Sequence, residues 1–110
     1  ITGISMDNFT PAHLVCGFLE GMAAELHGYY AAMPAALRGR MKTLAGSGNG
    51  VRLNPLLVEP LEGRFALKLR VPAHREEAAV GAALTAAVGD GAVRGFGMAG
   101  KLLHYEAPRG

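Results

Sequence analysis

The chain has 110 residues, of which 50% are hydrophobic and 18% are charged, and its formal net charge is +2. This length allows one domain at most, and the apolar content argues against a disordered chain because it can supply a core. The weak positive charge, without a block of basic residues, argues against a nucleic-acid surface. Since no apolar run approaches the ~20 residues of a membrane span, neither nucleic acid nor a membrane is expected as a partner.

The single cysteine and the N-terminal residues give a first indication of context. Cys16 has no partner for an intrachain disulfide, and its place in an apolar helical pattern predicts a small buried residue rather than a reactive thiol. The N-terminus lacks a basic-then-apolar signal pattern, so we expect a cytoplasmic protein. The chain opens on Ile1 in "ITGISM", which is typical of a strand, and we expect it to be a piece of a longer protein.

The first predicted elements are a short strand over residues 1–6 and a long helix. Thr10 is the predicted N-cap, and Pro11 is the first helical residue, where its missing N–H costs nothing. The apolar stripe of this helix recurs at every fourth residue, with further apolar residues beside it: Leu14, Phe18, Met22, Leu26 and Tyr30, flanked by Val15, Leu19 and Ala23. This spacing predicts an amphipathic helix that ends by Pro34.

The middle of the chain combines a strand, a glycine-rich loop and a weaker helix. "MKTLA", residues 41–45, is typical of a short strand that runs into the loop. Asn54 and Pro55 repeat the cap-and-proline start and predict a helix after the loop. Pro60 should kink or shorten this helix, because a proline inside a helix removes a hydrogen bond and clashes with the preceding turn.

The last elements complete an alternating order of strands and helices. Residues 67–71 alternate apolar and basic side chains, which predicts a half-buried strand, and the helix that follows should end at Gly89. Residues 90–110 are expected to form a loose glycine-rich tail with at most a short ordered segment at 101–105. The predicted order is therefore β-α-β-α-β-α, which is typical of an α/β domain with a largely parallel sheet.

The loop "AGSGNG" is the most distinctive stretch, because α/β domains bind ligands in loops at the carboxyl ends of strands. Glycines let a ligand approach the backbone, and exposed N–H groups with the dipole of a following helix form an anion site. The pattern matches neither GxGxxG nor GxxxxGK[ST], so a nucleotide contact and a plain turn both stay open. Asn49 and Asn54 could bind an adenine or ribose, or Asn49 could adopt a positive φ and Asn54 could cap the helix.

The remaining polar residues form no recognisable catalytic arrangement. The run from 74 to 77, "HREE", could hold a general base, but a solvated helix start is the simpler interpretation. Asp7 could bind a metal or a hydroxyl, or satisfy backbone donors ahead of the first helix. The four histidines lack metal-ligand spacing, and nothing ties Cys16 or Ser47 to a histidine. We therefore expect no metal site and no catalytic residue from this chain alone.

Three stretches, in this order, resemble the C-terminal end of the FGGY carbohydrate kinases, and the sedoheptulokinase-like members in particular. "FTPAHLVCGFLEGMAAELHGYY" is similar to the family's long helix, "LAGSGNGVRLNPLL" to its glycine-rich adenosine motif, and "LRVPAHREEAAVGAAL" to its closing E-A-A-x-G-A-A helix. The resemblance spans roughly residues 3–89. It implies an actin-like ATPase (ribonuclease H-like) fold, in which residues 1–89 form part of a C-terminal nucleotide-binding domain and residues 90–110 a glycine-rich tail.

The resemblance also implies an activity and a set of site residues. The implied enzyme is an ATP-dependent carbohydrate kinase that transfers the γ-phosphoryl group to a sugar hydroxyl, with a ketose such as sedoheptulose as substrate. The implied ATP-binding residues are Gly46, Ser47, Gly48 and Asn49, near the phosphates and ribose, and Asn54, in the adenine pocket. Glu77 and Gly81 are implied to belong to a packing element behind the site.

Departures from the family limit what this chain could do alone. The family's chains are several times longer, and their first phosphate loop, sugar pocket and catalytic Asp lie upstream of the residues present here. Mg²⁺ is then implied to be held mainly by the missing half and the sugar by the missing N-terminal domain, so this chain alone should be inactive. The implied partner is the rest of the kinase chain, and a homo-oligomer with a second copy stays open. A non-catalytic nucleotide- or protein-binding α/β module is the alternative.

Overall fold

The computed structural model describes residues 1–108; the last two residues of the predicted tail lie outside the described part. The chain divides into two compact units, the first comprising Ile1–Leu44 and Leu56–Lys68, the second Ala45–Pro55 and the residues from Leu69 onward. The helices are α1 (Pro11–Ala31), α2 (Ala35–Arg38), α3 (Asn49–Arg52), α4 (Val58–Phe65), α5 (Glu77–Gly89) and α6 (Gly95–Gly100). The strands are β1 (Thr43–Ala45), β2 (Lys68–Pro72) and β3 (Tyr105–Glu106), and a 3₁₀ turn covers Pro55–Leu57.

Helix α1, in the first unit, begins and ends as the sequence predicts. Thr10 has an extended backbone, and its Oγ1 accepts a hydrogen bond from the His13 N–H at 3.3 Å. Pro11 is the first helical residue, and the helix ends at Ala31, ahead of Pro34. The predicted N-cap and the predicted helix are therefore confirmed.

None of the helices within residues 1–108 has the length and apolar character that a membrane span requires.

Helix α1 buries one edge of the predicted apolar stripe rather than the whole of it. Leu19 and Ala23 are its buried residues, because this is the face that packs against α4. The neighbouring stripe stays in contact with solvent, with exposed side chains at Val15, Phe18, Met22, Leu26 and Tyr29. The thiol of Cys16 is also exposed rather than buried, because it borders a groove of about 580 Å³ between α1 and α4.

The N-terminal strand predicted at residues 1–6 is absent, and the side chain of Asn8 explains why. Its Oδ1 accepts a hydrogen bond from the Ser5 N–H at 2.7 Å, and its Nδ2 donates to the Gly3 carbonyl at 2.8 Å. Gly3 adopts a φ of +75°. Backbone groups that a strand would pair with a neighbour are thus satisfied locally by the side chain of Asn8. The prediction is wrong because apolar composition alone does not supply a neighbouring strand.

The predicted helix from Pro55 is divided into a 3₁₀ turn and α4. Since α4 begins only at Val58, Pro60 falls in its first turn, where a missing N–H breaks no intrahelical bond. Ala66 then ends the helix in the left-handed conformation, with a φ of +50°. The prediction that Pro60 shortens this helix is wrong, because α4 continues through Pro60 to Phe65 and is short through its late start at Val58.

The sheet is mixed, with the strand order β1-β2-β3. Strands β2 and β3 are antiparallel, with Val71 opposite Glu106, and at the end of β1 the Gly46 N–H donates to the Arg70 carbonyl at 2.9 Å. Buried Leu69 and Val71 form the core of the second unit together with Ala99 of α6. The alternation predicted for β2 is confirmed, whereas the largely parallel sheet and the β-α-β-α-β-α order are wrong.

The region predicted as a loose tail contains two elements of the second unit. Helix α6 packs against α5 and buries Ala99, which is 3% exposed. Just before β3, the His104 carbonyl accepts a hydrogen bond from the Ala73 N–H at 2.8 Å. The segment is ordered because it pairs with β2, a long-range contact that its glycine-rich composition does not reveal. Helix α5 ends at Gly89, as predicted.

Candidate functional site

The glycine-rich loop follows β1 and turns into α3 at Gly48. This residue has a φ of +88° and a ψ of 167°, a conformation that side-chain-bearing residues rarely adopt. A Cβ atom built at Gly48 would meet nothing within 4 Å. Glycine is therefore required here by the backbone conformation, and the space beside it is open.

Gly46 has a different role in the same loop. A Cβ atom at this position would lie 3.0 Å from Leu69 Cδ1 and 3.1 Å from Val51 Cγ1. The absence of a side chain thus lets the loop lie directly on the core of the second unit. The Gly46 amide is used in the sheet, so this residue seats the loop rather than offering a donor to a ligand.

The residues predicted to bind a nucleotide lie close together in the chain but face different spaces. Ser47, Gly48 and Asn49 are exposed, and Asn54 is half-buried. Asn49 borders a cavity of about 370 Å³, whereas Ser47 borders another of about 220 Å³. Asn54 does not cap α4 as predicted, because Leu57 is the N-cap residue of that helix.

Arg52, the last residue of α3, is a central residue of the site that was not among the predicted ones. Its Nη2 donates to the Pro72 carbonyl at 2.9 Å, to the His74 carbonyl at 3.1 Å and to Glu77 Oε1 at 2.6 Å. The side chains of Arg52 and Glu77 are only 20% and 24% exposed. This short charge-assisted contact therefore ties α3 to the segment that joins β2 to α5.

The same oxygen of Glu77 also binds the glycine-rich loop. The Gly48 N–H donates to Glu77 Oε1 at 3.3 Å. The pKa of Glu77 is lowered from its ordinary value of 4.5, chiefly by the hydrogen bond from Arg52, then by the backbone N–H groups of Glu77 itself and Gly48. Glu77 is therefore an ionised acceptor at neutral pH. Its lowered pKa makes Glu77 itself a poor general base.

A buried histidine nitrogen lies beside the smaller cavity. His74 Nε2 is buried and has no hydrogen-bond partner among the described residues, and its ring lies 6.4 Å from that of His104. The cavity, lined by Ser47, His74, Tyr105 and apolar side chains of α5, has a volume of about 220 Å³. Within residues 1–108, no three His, Cys, Asp or Glu side chains come together to hold a metal ion.

The comparison with family models identifies the chain. The model of the FGGY family of carbohydrate kinases, C-terminal domain, matches residues 1–89. Because this match covers most of the chain, the chain belongs to that family. No curated protein and no solved structure matches it. The resemblance is thus confirmed for the FGGY C-terminal domain.

Proposed function

We propose that this chain supplies the adenosine side of the ATP site in a carbohydrate kinase, which transfers the γ-phosphoryl group of ATP to a sugar hydroxyl. The observation that carries the proposal is an exposed glycine-rich loop at the end of β1 within an FGGY C-terminal domain. Ligands of α/β domains bind at such strand ends. In this proposal the whole kinase has an actin-like fold, and residues 1–89 are part of its nucleotide-binding domain.

The loop offers a nucleotide accessible backbone and polar side chains. The open space beside Gly48 would let a phosphate or ribose approach the chain closely, and exposed Ser47 and Asn49 flank it. The amides of Gly46 and Gly48 are already used within the second unit, so these two glycines would serve by lacking side chains. Helix α3 has four residues, too few for a substantial helix dipole.

The rest of the site belongs to other parts of the proposed kinase. Asn54 is proposed to line the adenine pocket by its place in the motif. The described residues bring together no metal-binding group. In the proposed kinase, Mg²⁺ would be held mainly by the N-terminal domain, which would also supply the catalytic base and the sugar pocket. The proposed substrate, a ketose such as sedoheptulose, rests on the resemblance to the sedoheptulokinase-like members.

The activity is tested on the full-length kinase with a panel of sugars. ADP formation would be measured with sedoheptulose, xylulose and ribulose, with aldoses, and with polyols including glycerol. Turnover with a ketose is expected. Turnover with another sugar or polyol of the panel would support the proposed kinase activity but contradict the proposed ketose substrate. ATP binding without turnover of any sugar would contradict the proposed kinase activity and favour a non-catalytic nucleotide-binding module.

The loop is tested by filling the space beside it. Gly48→Arg should abolish ATP binding, but it also places a side chain at a positive φ, which costs about 1–3 kcal/mol of stability. Ser47→Arg places the same bulky side chain at the neighbouring exposed position of the loop, without that backbone penalty. Gly63→Arg, at an open position in α4, is the matched control and should leave ATP binding intact. Unchanged ATP affinity in both loop variants would contradict the assignment of this loop.

A further inference from the structure

The Gly48 peptide is held by one side chain from a distant part of the sequence. A Cβ atom at Gly48 would meet nothing within 4 Å, and in the described chain its N–H group is bound by Glu77, 29 residues later. The Gly48 carbonyl accepts from the Arg52 N–H at 3.2 Å, so Glu77 is the side chain that fixes the amide of this exposed residue.

Glu77 is itself fixed by Arg52. The guanidinium is planar, and its Nη2 is anchored by the carbonyls of Pro72 and His74 as well as by the carboxylate. Arg52 is the last residue of the short helix that begins directly after Gly48. The contacts therefore form a closed ring, which runs from Gly48 through α3 to Arg52, across to Glu77 and back to the Gly48 amide. We name this ring the loop tether.

The Arg52–Glu77 pair could affect nucleotide binding through its charge or through the position of the Gly48 peptide, and the two roles predict different effects of mutation. A carboxylate beside a phosphate-binding loop repels an anion, and Arg52 offsets that charge. If the pair acted only through charge, loss of Arg52 would weaken nucleotide binding and loss of Glu77 would strengthen it. If the pair acts by position, either loss frees the Gly48 peptide, and both variants weaken binding.

We infer that Arg52 and Glu77 are positioning residues, which fix the Gly48 peptide in the geometry that the glycine-rich loop needs to receive the nucleotide. This inference rests on the proposed function. The closed ring of contacts favours position over charge, because one carboxylate oxygen binds both ends of α3, the Gly48 amide before its first residue and the Arg52 side chain at its last. A flexible loop would have to be ordered when the nucleotide binds, at a cost in affinity.

The test compares variants of the full-length kinase in steady-state kinetics. Arg52→Ala and Glu77→Ala should each raise the KM for ATP about tenfold, with kcat and the KM for the sugar within about twofold of the wild type. Glu77→Gln keeps an oxygen that can accept from Gly48 and Arg52, so it should raise the KM for ATP less than Glu77→Ala does. Arg64→Ala and Glu20→Ala, which break a second Arg–Glu pair of the described residues, are matched controls and should leave the KM for ATP unchanged.

The outcomes separate this inference from the function on which it rests. Opposite changes in the KM for ATP in Arg52→Ala and Glu77→Ala would replace positioning with a charge effect. An unchanged KM for ATP in both, with only a lower melting temperature, would make the tether purely structural. In either case loss of ATP binding in Ser47→Arg would leave the proposed function standing. ATP binding that survives Ser47→Arg and Gly48→Arg would remove both proposals.

Discussion

Helix α1 and the glycine-rich loop are stabilised over very different distances along the chain. The start of α1 depends on Thr10, whose side chain binds the amide three residues later. The loop depends on Arg52, whose hydrogen-bond acceptors lie 20, 22 and 25 residues further on. The helix start is therefore determined by neighbouring residues, whereas the loop conformation forms only once β2 and the start of α5 are in place.

The two regions also differ in how their apolar and polar groups are used. Helix α1 buries only Leu19 and Ala23 and leaves a stripe of large apolar side chains exposed. The loop instead lies on buried Leu69 and is held by a charge-assisted hydrogen bond. Mutations that act locally and mutations that act over long distances should therefore have distinguishable effects in the two regions.

The largest effect is expected from the residue under the loop. Leu69 is 2% exposed, so Leu69→Ala leaves a cavity in the core of the second unit and should lower the free energy of unfolding by about 2–5 kcal/mol. Leu56→Ala removes the same atoms from a side chain that is 65% exposed and should cost less than about 0.5 kcal/mol. Chemical denaturation measures both, and equal losses would contradict the assigned core.

A smaller effect is expected from the local cap of α1. Thr10→Ala removes the oxygen that accepts from the His13 N–H, and the free energy of unfolding should fall by about 1 kcal/mol. Because the cap is local, a peptide spanning residues 5–33 should also lose helicity in circular dichroism. Thr2→Ala, at an exposed position before the helix, serves as the control for the unfolding measurement on the whole chain. Equal helicity of the wild-type and Thr10→Ala peptides would refute the local origin of this helix start.

The loop tether predicts a dependence of stability on pH. The folded-state pKa of Glu77 lies below 4.5, so its ionised form stabilises the fold above about pH 4.5, and this contribution is lost as the pH falls through the lowered pKa. The stability difference between the wild type and Glu77→Gln should therefore be constant from pH 7 to about pH 5 and shrink on further acidification. In an Arg52→Ala background the dependence should weaken, because the main cause of the pKa shift is gone. A difference that grew on acidification would contradict this sign.

The smallest effect is expected from the exposed ion pair of the first unit. Arg64 Nε lies 3.0 Å from Glu20 Oε2, with side chains that are 42% and 51% exposed. Arg64→Ala should cost about 0.2–1 kcal/mol and less in high salt, because water and ions screen the pair. Arg52→Ala should cost more, since it also leaves two backbone carbonyls without their donor. An equal cost for the two arginines would remove the contrast between local and long-range stabilisation.

The sequence supported correct predictions wherever the cause is local. Thr10 with Pro11, the alternation around Leu69 and the helix end at Gly89 each depend on a few neighbouring residues, and all three are confirmed. The strand at residues 1–6 and the loose tail were wrong because strand formation depends on a partner strand, which composition does not specify.

The candidate site could be predicted only in part for the same reason. The glycine-rich loop was recognisable from its composition and its place after a strand. Arg52 and Glu77 are 25 residues apart in the chain, and no helical or strand periodicity brings them together. Glu77 was interpreted as a packing residue, whereas the structure joins it to both Arg52 and Gly48. The pairing of Arg52 with Glu77 can be recognised only once the position of β2, which lies between them in the chain, is known.

The three acceptors of Arg52 also limit which insertions and deletions the chain could tolerate. They lie at positions 72, 74 and 77, so one added or lost residue between 73 and 76 would displace the carboxylate relative to the two carbonyls. The guanidinium could then no longer reach all of them from a single rotamer. The connection from 90 to 94, between α5 and α6, carries no such constraint from Arg52. Length variation is therefore expected in that connection, while the segment from β2 to α5 keeps a fixed length.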